Sequence, residues 1–178
     1  AKVDLPLQAQ CEPPGDNLWH IRMKEAGIDS LGMHLEVVNP ALRKEIMPGK
    51  SQVSLEKYFE SFAFAVEVFG WGQVSTYILA GLGDTAEEIL ETCQKLTSMG
   101  VYPFVVPFVP VSGTPLESHS PPTPEFMREI LGPLADMILR SGMSSDKIKA
   151  GCGKCGACSA LSAFERIKIL SNQKTLAC

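Results

Sequence analysis

The chain has 178 residues, 45% hydrophobic and only 20% charged, so it can bury the core of one globular domain and is not a disordered segment. A net charge of −4 and the lack of any lysine or arginine run exclude a basic footprint for nucleic acid or a membrane surface, and a small-molecule substrate fits better. The longest apolar stretch, 101–111, is broken by Pro103, Pro107 and Pro110 and is too short to cross a bilayer, and nothing near Ala1 looks like a signal peptide, so a cytoplasmic setting is expected.

A first strand is predicted over 3–11, closed by Glu12-Pro13-Pro14-Gly15, with a helix over 17–26. A second strand over 30–38 leads through Asn39-Pro40, a favourable N-cap and first-turn pair, into a short helix ending near Met47-Pro48-Gly49. After Ser54 comes a longer helix with Leu55, Tyr58, Phe59, Phe62, Val66 and Phe69 on one stripe and Gly70 as its stop. The third strand, 73–80, runs into Gly81-Leu82-Gly83-Asp84. Thr85 and Glu88 then form a capping box for a helix to Met99. The fourth strand, 101–111, meets Ser112-Gly113-Thr114-Pro115, and Thr123-Pro124 opens an amphipathic helix to about Ser141.

The chain thus divides into a βα-rich part, 1–145, and a cysteine-bearing tail, 146–178. In the tail, Cys152-Gly153-Lys154-Cys155-Gly156-Ala157-Cys158 places three thiols at x2 spacings with glycines that let the loop wrap. This fits part of a ferredoxin-type iron–sulfur site. Zinc and unmetallated thiols are the alternatives, and either metal wants a fourth ligand, for which Cys178 is a candidate. Cys11 and Cys93 read as structural.

Four strand–helix passages describe parallel strands with helical crossovers, which make either an open doubly wound sheet or a barrel. A full eight-unit barrel takes about 250 residues, so a closed one would need units this chain lacks. In a barrel, strand C-termini and helix N-termini share one face, and ligand residues belong there. Gln10, Glu12 and His34 lie near strand ends and are candidate substrate contacts, His34 as a proton carrier near neutral pH.

Four of these strand-end segments resemble radical S-adenosylmethionine (radical SAM) enzymes of the group that includes biotin synthase and the hydrogenase-maturation radical enzymes. They are Met33-His34-Leu35-Glu36-Val37-Val38-Asn39-Pro40 with Met47-Pro48-Gly49-Lys50, then Ser54-Leu55-Glu56-Lys57-Tyr58, then Tyr77-Ile78-Leu79-Ala80-Gly81-Leu82-Gly83-Asp84-Thr85, and Val109-Pro110-Val111-Ser112-Gly113-Thr114-Pro115-Leu116. More closely, the stretch to Ser162 resembles an uncharacterised biotin-synthase-like radical SAM family whose genes accompany a nitrilase.

The resemblance implies a partial (βα) barrel of about four units. It also implies that Glu36 holds the nucleoside ribose, that Lys57 pairs with the methionine carboxylate, and that Gly81 and Gly83, with Asp84 positioning their turn, lie along the adenine. These places are expected to converge on one rim. The family's Cys-x3-Cys-x2-Cys motif for the catalytic 4Fe-4S cluster is absent from the sequence. The resemblance therefore implies that the cluster is ligated upstream of Ala1, in a missing N-terminal half, and that this segment alone is inactive.

The implied enzyme takes electrons from a reductant such as flavodoxin or ferredoxin. It uses a 5′-deoxyadenosyl radical on a small organic substrate, with the tail holding an auxiliary iron–sulfur cluster. Two other readings stay open: a non-radical α/β enzyme binding a nucleotide at its strand ends, and a cysteine-rich metal-binding module.

Overall fold

A computed structural model of the chain describes residues 4–176. Four parallel strands, β1 (Gln8–Gln10), β2 (Ser30–Gly32), β3 (Val74–Ala80) and β4 (Val101–Pro107), form one sheet in the order β1-β2-β3-β4. Each strand lies beside its neighbour in sequence. The order never reverses, as it does at the switch point of a doubly wound sheet, so these strands make an unclosed stretch of barrel wall.

The expected helices form close to their expected limits: α1 (Leu18–Glu25), α2 (Pro40–Ile46), α3 (Leu55–Phe69), α4 (Ala86–Ser98) and α5 (Pro124–Arg140). Their ends follow the local chemistry. The Asn39 side chain accepts from the N–H groups of Ala41 and Leu42, Ser54 caps Lys57, and Thr123 caps Phe126. Thr85 and Glu88 make the reciprocal capping box, and Gly70 stops α3 at φ 97°.

The helices pack as a layer on one face of the sheet, α1 on α3 and α4 on α5, with the Lys95 ammonium of α4 over the Phe59 ring of α3. Beneath them Leu31, Met33, Ile78 and Val105 meet Tyr58 and Phe62 of α3 and Ile89, Cys93 and Leu96 of α4, all buried. Burying each of the larger side chains contributes about 1.5–3 kcal/mol, which makes this interface the main source of stability.

Three expectations are corrected. Within the described residues the first strand pairs only over Gln8–Gln10, Val3 lying outside them. β4 stops at Pro107 because β3 has ended at Ala80, leaving Val109 and Val111 66% and 60% exposed. The segment 30–38 keeps contact with β3 after Gly32, but irregularly: Met33 N–H bonds Ser75, Leu35 N–H bonds the Thr76 hydroxyl, and Glu36 bridges Ile78.

The tail holds two further helices, α6 (Cys152–Cys155) and α7 (Leu161–Leu176). Its first part, through α6, crosses the sheet face turned away from α3 and α4, and α7 packs on α5, with Lys168 bonded to Asp136. On that sheet face the Ser30 hydroxyl donates to the Ala150 carbonyl, the Gln73 amide group bonds Lys147 and Lys149, and Gly153 sits against the Tyr102 ring. Glu165 of α7, 1% exposed, accepts from the Tyr102 hydroxyl at 2.6 Å and from the Ser145 backbone and hydroxyl at 2.9 and 2.7 Å. A buried carboxylate with three donors is a satisfied one, and it pins α7 to β4. Among the described residues no helix is long and apolar enough to cross a membrane.

Candidate functional site

At the C-terminal ends of β1, β2 and β3 lies a hollow of about 260 Å³ lined by Gln10, His34, Glu36, Tyr77, Leu79 and Cys152. Parallel strands fix this placement. Residues two apart point to the same face, so Gln10 and Tyr77, with His34 on the continuation of β2, are presented together beyond the part of the sheet that the tail covers.

Glu36 has φ 65°, and it is the one non-glycine residue with positive φ in the described chain. Such a backbone costs a non-glycine residue about 1–2 kcal/mol and persists only where its surroundings over-determine it. They do so here. The buried Arg43 guanidinium donates to the carbonyls of Leu35 and Val37 on either side, and to that of Lys50, while stacking 4.9 Å over the Tyr58 ring. Just beyond, the Asp84 carboxylate accepts from Val38 N–H at 3.2 Å and Asn39 N–H at 2.7 Å.

The turned backbone presents the Glu36 carboxylate to Lys50, whose ammonium lies 3.2 Å from both Glu36 and Glu12. Glu12 also accepts a hydrogen bond from Tyr58. Lys50 is only 17% exposed at its side chain. One cation therefore draws the ends of β1 and β2 together, and its charge is shared between two carboxylates. His34 accepts the Tyr77 N–H on Nδ1 at 3.2 Å, with its ring 4.8 Å from the Tyr77 ring. Its pKa is lowered, first by burial and then by Lys50, so it stands here as a neutral imidazole with Nε2 as the donor.

Of the residues singled out by sequence, Glu36, His34 and Gln10 share this hollow, and Glu12 reaches it through Lys50. Lys57 does not line it; its ammonium lies 3.8 Å from Glu60 on the same helix. The glycine turn is tied to the site from behind, through Asp84. The space beside Gly81 and Gly83 is occupied: a Cβ there would lie 2.8 Å from Pro122 and 3.1 Å from Leu42. His119 Nε2 lies 2.7 Å from the Gly81 carbonyl. Asp84 is spent on backbone groups, and burial raises its pKa.

Cys152 lines the hollow together with Tyr77, while Cys155 and Cys158 are exposed. Among the described residues no three histidine, cysteine or acidic side chains come together as a metal-binding group, so the tail thiols as they stand do not fit a cluster. Cys178 lies outside the described residues. Cys93 is fully buried and Cys11 partly so, and burial raises the thiol pKa of both, consistent with packing roles.

Sequence reasoning passed over Lys50, Arg43 and Tyr77 as site residues. Lys50 was visible as a cation just after Pro48-Gly49, at a loop position without helical periodicity to direct it. Three other hollows are larger. One of about 520 Å³ lies between α4 and α5, one of about 450 Å³ lies between α2 and the start of α3, and one of about 310 Å³ is lined by Ile46, Phe108, Val109, Val111 and the Thr114-Pro115-Leu116 segment. None contains a strand-end carboxylate.

Comparison with known proteins shows similarity to two enzymes, among others. Bacteriochlorophyllide c C-7(1)-hydroxylase of Chlorobaculum limnaeum is 32% identical over 139 residues, which are 77% of this chain and 34% of that protein. Coproporphyrinogen III oxidase from Escherichia coli, described as a radical SAM enzyme, has a similar fold with a TM-score of 0.54 at 15% identity, over 78% of this chain and 33% of its own. The chain thus spans about a third of the length of each. No family model matches it.

Proposed function

We propose that this chain, which has the fold of part of a radical SAM enzyme barrel, forms the nucleoside-holding side of an S-adenosylmethionine site in an enzyme acting on a small organic substrate. The observation that carries the reading is Glu36, held in a left-handed backbone at a strand end with Lys50 at 3.2 Å, on the rim of a strand-end hollow. Glu36 accepts hydrogen bonds from the ribose hydroxyls. Lys50, in place of Lys57, pairs with the methionine carboxylate. Exchanging Glu12 for that carboxylate keeps the lysine's charge balanced, a gain available only when ligand is present.

Gln10 and the Nε2–H of neutral His34 offer a substrate one amide group and one donor, and Tyr77 closes the floor. Cleaved reductively, S-adenosylmethionine supplies a 5′-deoxyadenosyl radical. The chain's share in that chemistry is orientation and exclusion of water. No Cys-x3-Cys-x2-Cys occurs here, so the residues present do not fit the catalytic 4Fe-4S cluster. On this reading a further half of the barrel supplies those ligands, a reductant of the flavodoxin or ferredoxin class supplies electrons, and the segment alone does not cleave S-adenosylmethionine.

The test is titration of the chain with S-adenosylmethionine by calorimetry. Glu36→Ala and Lys50→Met should each weaken binding about tenfold or more, the worth of one charge-assisted hydrogen bond, while Lys57→Met changes it little. Loss with Lys57→Met and none with Lys50→Met would return the carboxylate to α3 and sink this assignment.

A further inference from the structure

α7 carries two faces with apolar side chains, and the chain covers only one of them. Leu161, Phe164 and Glu165 turn inward, and Lys168 bonds Asp136 of α5 at 2.6 Å. Half a turn round the helix, Ala163, Arg166, Ile167 and Leu170 are all exposed, Ile167 and Leu170 at 60% and 58%. Their spacing of i, i+3, i+4 and i+7 gathers them into one stripe, the pattern of a helix face that packs on a partner. A second uncovered surface lies across α5. α4 packs on α5 and α5 on α7, and the hollow of about 520 Å³ between α4 and α5 has a floor of Ala86, Leu90 and Met137 under a rim of Glu87, Glu91 and Glu129. The three carboxylates are exposed, and neither they nor Arg166 make an ion pair among the described residues.

We propose that the α7 stripe of one copy docks in the α4–α5 groove of a second copy of this chain. The two surfaces complement each other in chemistry. Ile167 and Leu170 supply apolar anchors for the Leu90 and Met137 floor, and Arg166 brings a cation to three carboxylates that have none. Within one chain the surfaces cannot meet, because the Glu165 carboxylate and the Lys168–Asp136 pair hold α7 by its opposite face. Groove and stripe flank α5, so two copies related by a two-fold axis make the contact twice, α7 of each in the groove of the other, and the assembly closes as a dimer. Burial of the apolar anchors supplies the affinity, and the Arg166 charge sets the register. The contact uses helices remote from the strand-end hollow and is independent of the S-adenosylmethionine reading, since it needs neither that ligand nor the catalytic cluster.

The test is sedimentation velocity over a concentration series, on the full chain carrying Leu5→Lys and Leu7→Lys to block pairing through the open edge of β1. The expected result is a monomer–dimer equilibrium. Ile167→Glu, which sets a carboxylate against the acidic rim, and Arg166→Glu should each weaken it about tenfold or more. Glu91→Lys with Glu129→Lys should weaken it similarly, and should restore it when combined with Arg166→Glu in the same chain. All four side chains are exposed, and circular dichroism of each variant guards against misfolding. The surface that α7 meets is read by placing a photoreactive benzophenone side chain at Ala163 and irradiating an equal mixture of isotopically light and heavy chains. After cleavage at lysine and arginine, light-to-heavy cross-links should fall on the peptides 58–95 and 129–140, which carry the groove. A monomer at every concentration, a dimer indifferent to the α7 and rim substitutions, or cross-links that stay within one isotopic form or fall outside those two peptides would each overturn the proposal.

Discussion

Glu36 shows how a strained residue is kept. Its left-handed backbone costs about 1–2 kcal/mol that a glycine would not incur, while Arg43 and Asp84 hold the groups on both sides of it. Glu36→Gly should therefore leave the fold as stable or up to about 1 kcal/mol more stable, while binding of S-adenosylmethionine is lost. A urea midpoint that falls by more than that amount would show the Glu36–Lys50 pair to be structural. His34 and His20 carry a pH dependence of predictable sign. Burial lowers the pKa of both in the folded chain. The unfolded chain then binds more protons over the interval between the two values, so stability falls as pH drops below about 6.5 and levels off below the folded-state value. Replacing His34 with Gln and His20 with Asn should flatten that limb in urea midpoints measured from pH 7.5 to 5.5. Glu36 and His34 were legible because each polar group interrupts an apolar strand end. Lys50 was not, because only the folded loop shows which of several lysines turns inward.

The helices α2 to α5 were legible nearly to their caps, since each opens on a capping side chain and α3, α4 and α5 also carry an apolar stripe. The capping box gives a calibrated test: Thr85→Ala should cost about 1 kcal/mol, read in the urea midpoint. α7 escaped notice for a physical reason. Ile167 and Leu170 are 60% and 58% exposed, whereas Glu165 is buried, so its polarity pattern runs against the usual rule. Its anchor is the Glu165 carboxylate with Tyr102 and Ser145. Glu165→Ala strands three buried donors and should destabilise the chain by about 3 kcal/mol. Glu165→Gln, which keeps an acceptor, should cost less. Equal and small losses would mean α7 is not part of the cooperative fold. β4 was read too long because apolar residues such as Val109 and Val111 persist after the partner strand has ended, and composition carries no record of where a neighbour stops.

At the scale of the molecule, periodicity left barrel and doubly wound sheet undecided. Strand order settles that point, because it cannot be read from one strand at a time. The consequence is an unpaired edge on β1, flanked by Leu5 and Leu7 at 67% and 52% exposure. An open edge with apolar neighbours is a template for pairing. The chain should self-associate with rising concentration in sedimentation experiments, and Leu5→Lys with Leu7→Lys should reduce this without lowering the urea midpoint. A monomer at all concentrations would show the edge to be protected. The most direct test of the whole account is a crystal structure of the chain with S-adenosylmethionine bound. It should place the sugar hydroxyls on the Glu36 carboxylate and the amino-acid end on Lys50, beside His34. Ligand density in the hollow between α2 and α3, with the strand ends empty, would contradict it.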